Sequence, residues 1–145
     1  MEAETTIPML ICRDAASEIA FCKSAFGALE LSRRSASDGS VVHATLKIGE
    51  ALIMVHSEVA HLASRAPQPD GSSGVLIYVY VDDADTAMRQ AVSAGARILL
   101  AMATQSWGDD VGRIVDPAGH VWNIAMRTKM EPNPRLQATA APPRS

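Results

Sequence analysis

The sequence predicts an α+β fold built from two βαβββ units that follow each other along the chain. Two aspartates, Asp14 and Asp83, each precede a segment whose apolar residues recur at helical spacing, and they lie 69 residues apart. A short apolar segment with strand character comes before each predicted helix, and further segments rich in β-formers come after it. One unit of this size is too small to bury its own sheet, so we expect the two copies to pack together.

The first unit is predicted over residues 6–57. Its helix begins after Asp14, which has the side chain of an N-cap, and ends at Gly27, where a left-handed residue is expected. Gly49 and Glu50 form the turn between its last two strands. The predicted strands are 7–12, 28–34, 41–48 and 51–56.

The second unit is predicted over residues 75–127 and repeats this order. Its helix begins after Asp83 and ends at Gly95, between predicted strands at 75–81 and 96–101. The remaining segments are predicted as a loose N-terminus at 1–5, a connector rich in Pro, Gly, Ser and Ala at 58–74, and a Pro/Ala-rich tail at 128–145.

A hairpin over residues 106–125 completes the second unit. Asp116-Pro-Ala-Gly119 is a turn signal, because Pro fixes φ for a type I turn and Gly supplies the positive φ that follows. The resulting register sets Arg113 across from Asn123 on one face of the sheet. Ile114 and Trp122 then share the other face, and we expect Trp122 to pack in the core.

Composition excludes several classes of function. A net charge of −3 gives no electrostatic case for binding nucleic acid or an anionic membrane. No apolar run approaches the ~20 residues of a membrane helix, and the N-terminus shows no signal-peptide pattern. Cys12 and Cys22 lie among apolar residues, so we interpret them as buried reduced thiols of a cytoplasmic protein.

The repeat and its motifs resemble the vicinal oxygen chelate superfamily, which includes glyoxalase I, extradiol dioxygenases and proteins of fosfomycin and bleomycin resistance. The most specific segment is 112–120, GRIVDPAGH, supported by AFG at 25–27 and SWGD at 106–109. The resemblance covers about residues 6–127 and is strongest to the bleomycin-resistance-like branch. It implies that the two modules form a curved, cup-like mixed sheet with the helices on its convex side.

The resemblance also implies where a metal ion would bind. Members that use a metal hold it with His and Glu at four positions, which correspond here to Ile7, Met54, Leu76 and Asn123. Three of these side chains are hydrocarbons or a thioether, and the fourth is a neutral amide, whereas zinc, iron and manganese need imidazole, carboxylate or thiolate. We therefore expect no metal at the family position and no cofactor.

Strand alternation predicts the lining of the cup around these four positions. We expect the loop residue Trp107 to lie across its mouth and stack on a flat ligand, or else to cover the edge of the sheet. We expect Tyr78 and Tyr80, in the predicted strand at 75–81, either to contact the ligand or only to fill the interior of the curved sheet. The predicted ligand-binding residues are His43, Met54, His56, Tyr78, Tyr80, Trp107, Arg113 and Asn123.

Two of these predictions carry open alternatives. A buried Arg113 needs an acceptor, so it pairs with Asp109, Asp110 or Asp116, or it binds an anionic group of the ligand. His43 and His56 lie directly opposite each other in the predicted hairpin. They form an ordinary polar pair, a proton relay or a noncanonical metal site, for which a third ligand such as Glu58 would be needed.

We therefore predict a metal-free small-molecule-binding protein that sequesters an apolar or aromatic ligand, with antibiotics among the candidates. The alternative is a lyase, isomerase or oxygenase of the same superfamily that uses His43 and His56. The resemblance also implies a homodimer, with or without exchange of modules between the chains.

Overall fold

The computed structural model describes residues 4–70 and 72–128. These residues form two βαβββ units, and the predictions for residues 1–3 and 129–145 lie outside them. The elements are β1 Met9–Cys12, α1 Ala15–Phe26, β2 Leu29–Ser35, β3 Val41–Ile48, β4 Ala51–Ser57, β5 Leu76–Tyr80, α2 Ala84–Ser93, β6 Arg97–Thr104, β7 Asp109–Val115 and β8 Val121–Arg127. A 3₁₀ turn, Ala60–Leu62, lies between β4 and β5.

Both helices begin where the sequence predicts. The Asp14 carboxylate accepts a hydrogen bond from the backbone N–H of Ser17 at 3.2 Å, and Asp83 does the same for Thr86 at 3.1 Å. Each cap satisfies an N–H group that has no partner inside the helix. Helix α1 ends at Gly27, whose φ of 65° is in the left-handed region.

Each unit forms its own four-stranded mixed sheet, and the two sheets have the same strand order. The first runs β1-β4-β3-β2 and the second runs β5-β8-β7-β6. In the parallel pairs, Met9 lies opposite Met54 and Tyr78 lies opposite Asn123. Both residues of the second pair lie 69 positions after those of the first, so the sequence repeat is also a structural repeat.

The core lies between the helices and one face of each sheet. Along β3 and β4 buried residues alternate with partly exposed ones, as expected for a sheet covered on one side. Trp122 is fully buried, and its ring centroid lies 4.6 Å from that of Phe26 in α1, which confirms its predicted place in the core. This contact joins the two units. We call the sheet faces turned away from the helices the open faces.

The turn between β7 and β8 has the predicted form. Asp116 N donates to the carbonyl of His120 at 2.8 Å, and Gly119 has a φ of 95°. The Asp116 side chain holds the turn by accepting from the backbone N–H groups of Ala118 and His120. The register places Arg113 opposite Asn123, as predicted.

A few boundaries differ from the prediction. Strand β1 begins at Met9, two residues later than predicted, because Pro8 has no N–H to extend the ladder. Strand β6 continues to Thr104, three residues beyond its predicted end. Cys12 and Cys22 are buried free thiols, as expected. Neither α-helix within the described residues is long and apolar enough to cross a membrane.

Candidate functional site

The second open face carries a cluster of aromatic side chains around one carboxylate. The hydroxyls of Tyr78 and Tyr80 donate to Oδ2 of Asp109 at 2.6 and 2.7 Å. The indole Nε1 of Trp107 lies 3.1 Å from the same oxygen and 3.2 Å from the Tyr78 hydroxyl. The structure thus brings three predicted site residues together, and Asp109 holds them in place.

Both tyrosines act as neutral hydrogen-bond donors in this cluster. Burial and the hydrogen bond to Asp109 raise the pKa of Tyr78 above its usual range, and the same two causes raise the pKa of Tyr80. The guanidinium of Arg127 lies 4.1 Å from the centroid of the Tyr80 ring, in the geometry of a cation–π contact. One end of the open face is therefore aromatic, hydrogen-bonded and close to a positive charge.

Arg113 has a different partner from those predicted. Its Nε donates to Oδ1 of Asn123 at 2.7 Å, so the expected pairing with Asp109, Asp110 or Asp116 is wrong within the described residues. The three carboxylates have other donors: Asp109 accepts from the aromatic cluster, Asp110 from a threonine hydroxyl, and Asp116 from its own turn and an indole. The predicted alternative, an anionic ligand group at Arg113, stays a prediction.

The two histidines of the first open face form a direct pair. His43 lies opposite His56 in the β3–β4 ladder, as predicted, and their Nδ1 atoms are 3.0 Å apart. Burial, the neighbouring His56 and the charge of Arg34 lower the pKa of His43, so a neutral ring is favoured. One ring then carries its proton on Nδ1 and donates it in a hydrogen bond to the Nδ1 of the other ring.

Glu58 is not a third ligand for this pair. Its Oε2 accepts from the backbone N–H of Ala66 at 2.8 Å, which ties it to the connector instead. Among the described residues, no group of three metal-ligating side chains includes either His43 or His56. Within the described residues the pair therefore lacks a third protein ligand, and its role as an ordinary polar pair or as a proton relay stays a prediction.

The four family positions for a metal ion do not fit one. Met54 lies on the first open face, between the buried residues Ile53 and Val55, and offers a thioether. Ile7 and Leu76 offer hydrocarbons, and the amide oxygen of Asn123 already accepts from Arg113. No imidazole, carboxylate or thiolate is present at these positions, so a divalent cation has no suitable ligand set there.

The open faces are accessible in a single chain. Met9, Leu76, Tyr78 and Tyr80 are 45%, 39%, 38% and 45% exposed, although each is apolar or aromatic. Residues on the opposite side of the same strands, such as Leu10, are buried under the helices. Enclosure of the open faces by a second chain or by a ligand stays a prediction.

Asp109 and Arg127 are the residues that sequence reasoning missed at this site. Apart from its place in the SWGD motif, the sequence predicts Asp109 as a possible partner for Arg113 and not as a site residue, although strand alternation puts both on the same face of β7. The signal in the sequence that could have indicated Asp109 as a site residue is its position two residues after Trp107. Arg127 lies at the end of β8 and offered no pattern beyond its charge.

Comparison with known proteins gives a family model that matches most of the chain and relatives of similar sequence. The family model described as the Glyoxalase/Bleomycin resistance protein/Dioxygenase superfamily matches residues 6–124. An uncharacterized protein of Mycobacterium bovis is 35% identical over 134 residues, which cover 90% of this chain and 88% of that protein.

Two solved structures show the same fold. A glyoxalase/bleomycin resistance protein/dioxygenase family enzyme of Burkholderia phytofirmans is 24% identical, with a TM-score of 0.67 over 86% of this chain and 99% of that one. The fosfomycin resistance protein FosX of Mesorhizobium loti is 16% identical, with a TM-score of 0.62 over 90% and 98% of the two chains. At these identities the structures show similarity of fold alone.

Proposed function

Because the chain belongs to the glyoxalase/bleomycin resistance protein/dioxygenase superfamily, we propose that it binds a small molecule against its open faces and acts by sequestration. The ligand is apolar or aromatic, and it is held without a metal ion at the family position. The side chains at that position support this proposal, since they provide no ligand set for a divalent cation.

The observation that carries the proposal is the exposure of apolar and aromatic side chains on the open faces. Met9, Leu76, Tyr78 and Tyr80 each expose more than a third of their surface, although Leu10 and Val79 on the other side of the same strands are buried. Contiguous exposed apolar surface on a soluble domain marks a binding site, because burying it is favourable.

The Asp109 cluster gives this surface a fixed shape. Three donors share one carboxylate, so Tyr78, Tyr80 and Trp107 lose little conformational freedom when a ligand binds. Their rings provide flat surfaces for stacking on an aromatic ligand. Arg113 uses Nε for Asn123, and the guanidinium has further N–H donors that can select a polar group.

Antibiotics are the first ligands to test. FosX, which shares the fold, is by name a fosfomycin resistance protein, and the sequence resembles the bleomycin-resistance-like branch. We expect the complete binding site to require a homodimer, with or without exchange of modules, because a second chain would cover the open faces. Exposed Ile98, Leu99 and Leu100 on β6 provide further apolar surface for such a contact. Light scattering coupled to size exclusion measures the oligomeric state.

Thermal denaturation with a ligand panel tests the proposal. The full chain is treated with EDTA and heated with bleomycin, fosfomycin or planar aromatic antibiotics. A ligand that binds the native state raises the Tm progressively with its concentration. We expect Trp107→Ala to weaken binding of a hit about tenfold or more, which corresponds to the loss of roughly 1.4 kcal/mol. Leu62→Ala, at an exposed position in the 3₁₀ turn, serves as the control and leaves affinity unchanged.

Arg113→Met separates ligand selection from structure. If Arg113 binds the ligand, the substitution weakens binding while leaving the Tm of the free protein nearly unchanged. Unchanged affinity together with a lower Tm would instead assign Arg113 a purely structural role beside Asn123. A panel in which no compound shifts the Tm of the wild-type protein would contradict sequestration of these ligand classes.

The histidine pair supports a second candidate function, that of a lyase, isomerase or oxygenase. Nδ1 atoms 3.0 Å apart on an open face can pass a proton to or from a bound substrate. Each hit from the panel is therefore incubated with the protein and analysed for product by mass spectrometry. Product formation that His43→Gln abolishes, with binding retained, would favour the enzyme. Binding without product favours sequestration.

A further inference from the structure

A second group of chemically active side chains lies where the two units meet, away from the open faces. Cys12 at the end of β1 points its Sγ to within 3.8 Å of Nε2 of His120, which follows the β7–β8 turn. One carboxylate oxygen of Glu18 in α1 lies within 4.8 Å of the Cys12 sulfur and of a ring nitrogen of His120. Thiol, imidazole and carboxyl groups therefore converge from three elements that belong to both units.

Glu18 is the unusual member of this group. Its side chain is 1% exposed, and neither carboxylate oxygen has a hydrogen-bond donor within the described residues. A buried ionised carboxylate is costly unless a charge or donors compensate it. The site therefore requires something that binds to Glu18, either a proton or a cation.

We propose that Cys12, Glu18 and His120 form a zinc site that fastens the second unit to the first. The three donor types are those found in zinc sites of proteins, and tetrahedral coordination places donor atoms between about 3 and 4 Å apart. The Cys12–His120 separation of 3.8 Å already fits that spacing. In the metal-free protein the same His120 nitrogen donates a hydrogen bond to the carbonyl oxygen of Ile11 at 2.8 Å, so Zn²⁺ would displace this proton, and a water molecule would supply the fourth ligand.

Hydrogen bonds in the turn hold His120 in position for this role. Asp116 accepts the backbone N–H of His120 at 3.0 Å and the indole N–H of Trp122 at 2.8 Å. The bond to Asp116 fixes the backbone at His120, and the hydrogen bond from the ring to the Ile11 carbonyl directs the ring at β1. Such outer contacts orient metal ligands and strengthen their binding.

The cluster also has a route to solvent. His120 is half-buried and contributes to the wall of a groove of about 400 Å³ between β1, β5 and the connector, together with Ile11 and Ile77. His120 is the member of the cluster that lines this groove, so a metal ion would approach the site from its side. The site is separate from the open faces, so it does not depend on the proposed sequestration.

A proton on Glu18 is the competing explanation. Burial and the adjacent Asp116 carboxylate raise the pKa of Glu18 well above its usual range in the metal-free protein. A protonated Glu18 donating to Asp116 would satisfy the carboxyl group without a metal. The presence of Cys12 and His120 at ligand spacing is what favours the cation.

Metal titration of the full chain distinguishes the two explanations. The protein is stripped with EDTA, desalted, and titrated with Zn²⁺ against a chromophoric chelator and with Co²⁺ followed by absorption. We expect one equivalent of either metal per chain, a sulfur-to-cobalt charge-transfer band, and a rise in Tm with Zn²⁺. A protein that binds less than stoichiometric zinc at micromolar concentrations would overturn the proposal in favour of the proton.

Matched variants assign the ligands. Cys12→Ser should abolish the charge-transfer band, and Glu18→Gln should weaken Zn²⁺ binding about 10- to 100-fold while preserving size and hydrogen-bonding capacity. Cys22→Ser, at the other buried thiol, and His43→Gln, on the open face, should retain one equivalent and the band. Binding that survives Cys12→Ser, or that His43→Gln removes, would overturn the assignment. X-ray absorption of wild-type zinc protein, with one sulfur and one imidazole expected, decides the question if a variant fails to fold.

Discussion

The two helices occupy matching positions in the two units, yet they differ where they face the core. Glu18 of α1 is replaced by Ala87 in α2, and Cys22 by Ala91. All four residues are buried. Because the second unit has alanine at both matching positions, the fold itself does not require a carboxyl or thiol there. The polar residues of α1 thus have a role that belongs to the first unit and its contact with the second.

The two sheets show the same kind of division on their open faces. His43 and His56 form a cross-strand pair in the first sheet, whereas Val111 and Ala125 occupy the corresponding pair in the second. The second sheet instead carries the aromatic cluster around Asp109. The two units therefore have the same backbone arrangement but different open faces. The first carries a hydrogen-bonded histidine pair, and the second carries an aromatic surface on which a ligand can stack.

The largest difference in stability should appear at matched core positions. Trp122→Ala removes a fully buried indole that contacts Phe26 and donates to Asp116, so we expect a loss of about 3–5 kcal/mol in the free energy of unfolding. Ile53→Ala, at the matching position of the first unit, should cost about 2–4 kcal/mol. Urea denaturation followed by circular dichroism measures both. Equal costs would show that the Phe26 and Asp116 contacts add nothing to burial.

A smaller effect of opposite sign is expected in α1. Glu18→Met removes a buried carboxyl while keeping a side chain of similar length, so metal-free protein should be unchanged or gain about 1–3 kcal/mol. Urea denaturation in EDTA provides the measurement, with Ala87→Met as the control that only adds volume to a core position. A loss of several kcal/mol in Glu18→Met would mean that the carboxyl group stabilises the fold, contrary to the comparison with α2.

The helix caps and the hairpin registers within each unit could be predicted from the sequence. The caps at Asp14 and Asp83 follow from local hydrogen bonding, and the opposition of Arg113 to Asn123 follows from a turn that fixes the register. A two-residue turn likewise set His43 across from His56. These features depend on a few neighbouring residues, which is why they could be predicted.

Contacts that depend on packing between distant strands could not be predicted in this way. Tyr78 and Asp109 lie on β5 and β7 with β8 between them, so their hydrogen bond requires the complete sheet. Cys12 and His120 are 108 residues apart and meet only because the two units pack against each other. Neither alternation nor helical spacing fixes how one unit lies on the other, so the position of His120 beside Cys12 could not be predicted from the sequence.

The two hairpin turns provide a third test of the comparison. Gly119 has a φ of 95°, and a Cβ there would lie 2.9 Å from the carbonyl oxygens of Pro67 and Gln68 in the connector. Gly49, in the first hairpin, has a φ of 57° and open space around it. Gly49→Ala should therefore cost about 1 kcal/mol for backbone strain alone, and Gly119→Ala about 2 kcal/mol or more. Thermal unfolding measures the difference, and equal costs would show that the connector yields without penalty.

The smallest expected effect is a pH dependence of the folding stability, which arises from His43 in the first sheet. The lowered pKa of His43, caused mainly by burial and by His56, means that the folded protein binds its proton less readily than the unfolded chain. The contribution of His43 to stability is therefore present above the histidine reference pKa of 6.5 and is lost as the pH falls through the folded-state pKa. His43→Gln should flatten this decline in Tm between neutral and mildly acidic pH. His61→Gln, at an exposed position outside both sheets, should keep the wild-type profile. If the Tm of His43→Gln still falls as the pH is lowered, another group causes the acid sensitivity. Protonation of the histidine pair would then have no measurable effect on stability.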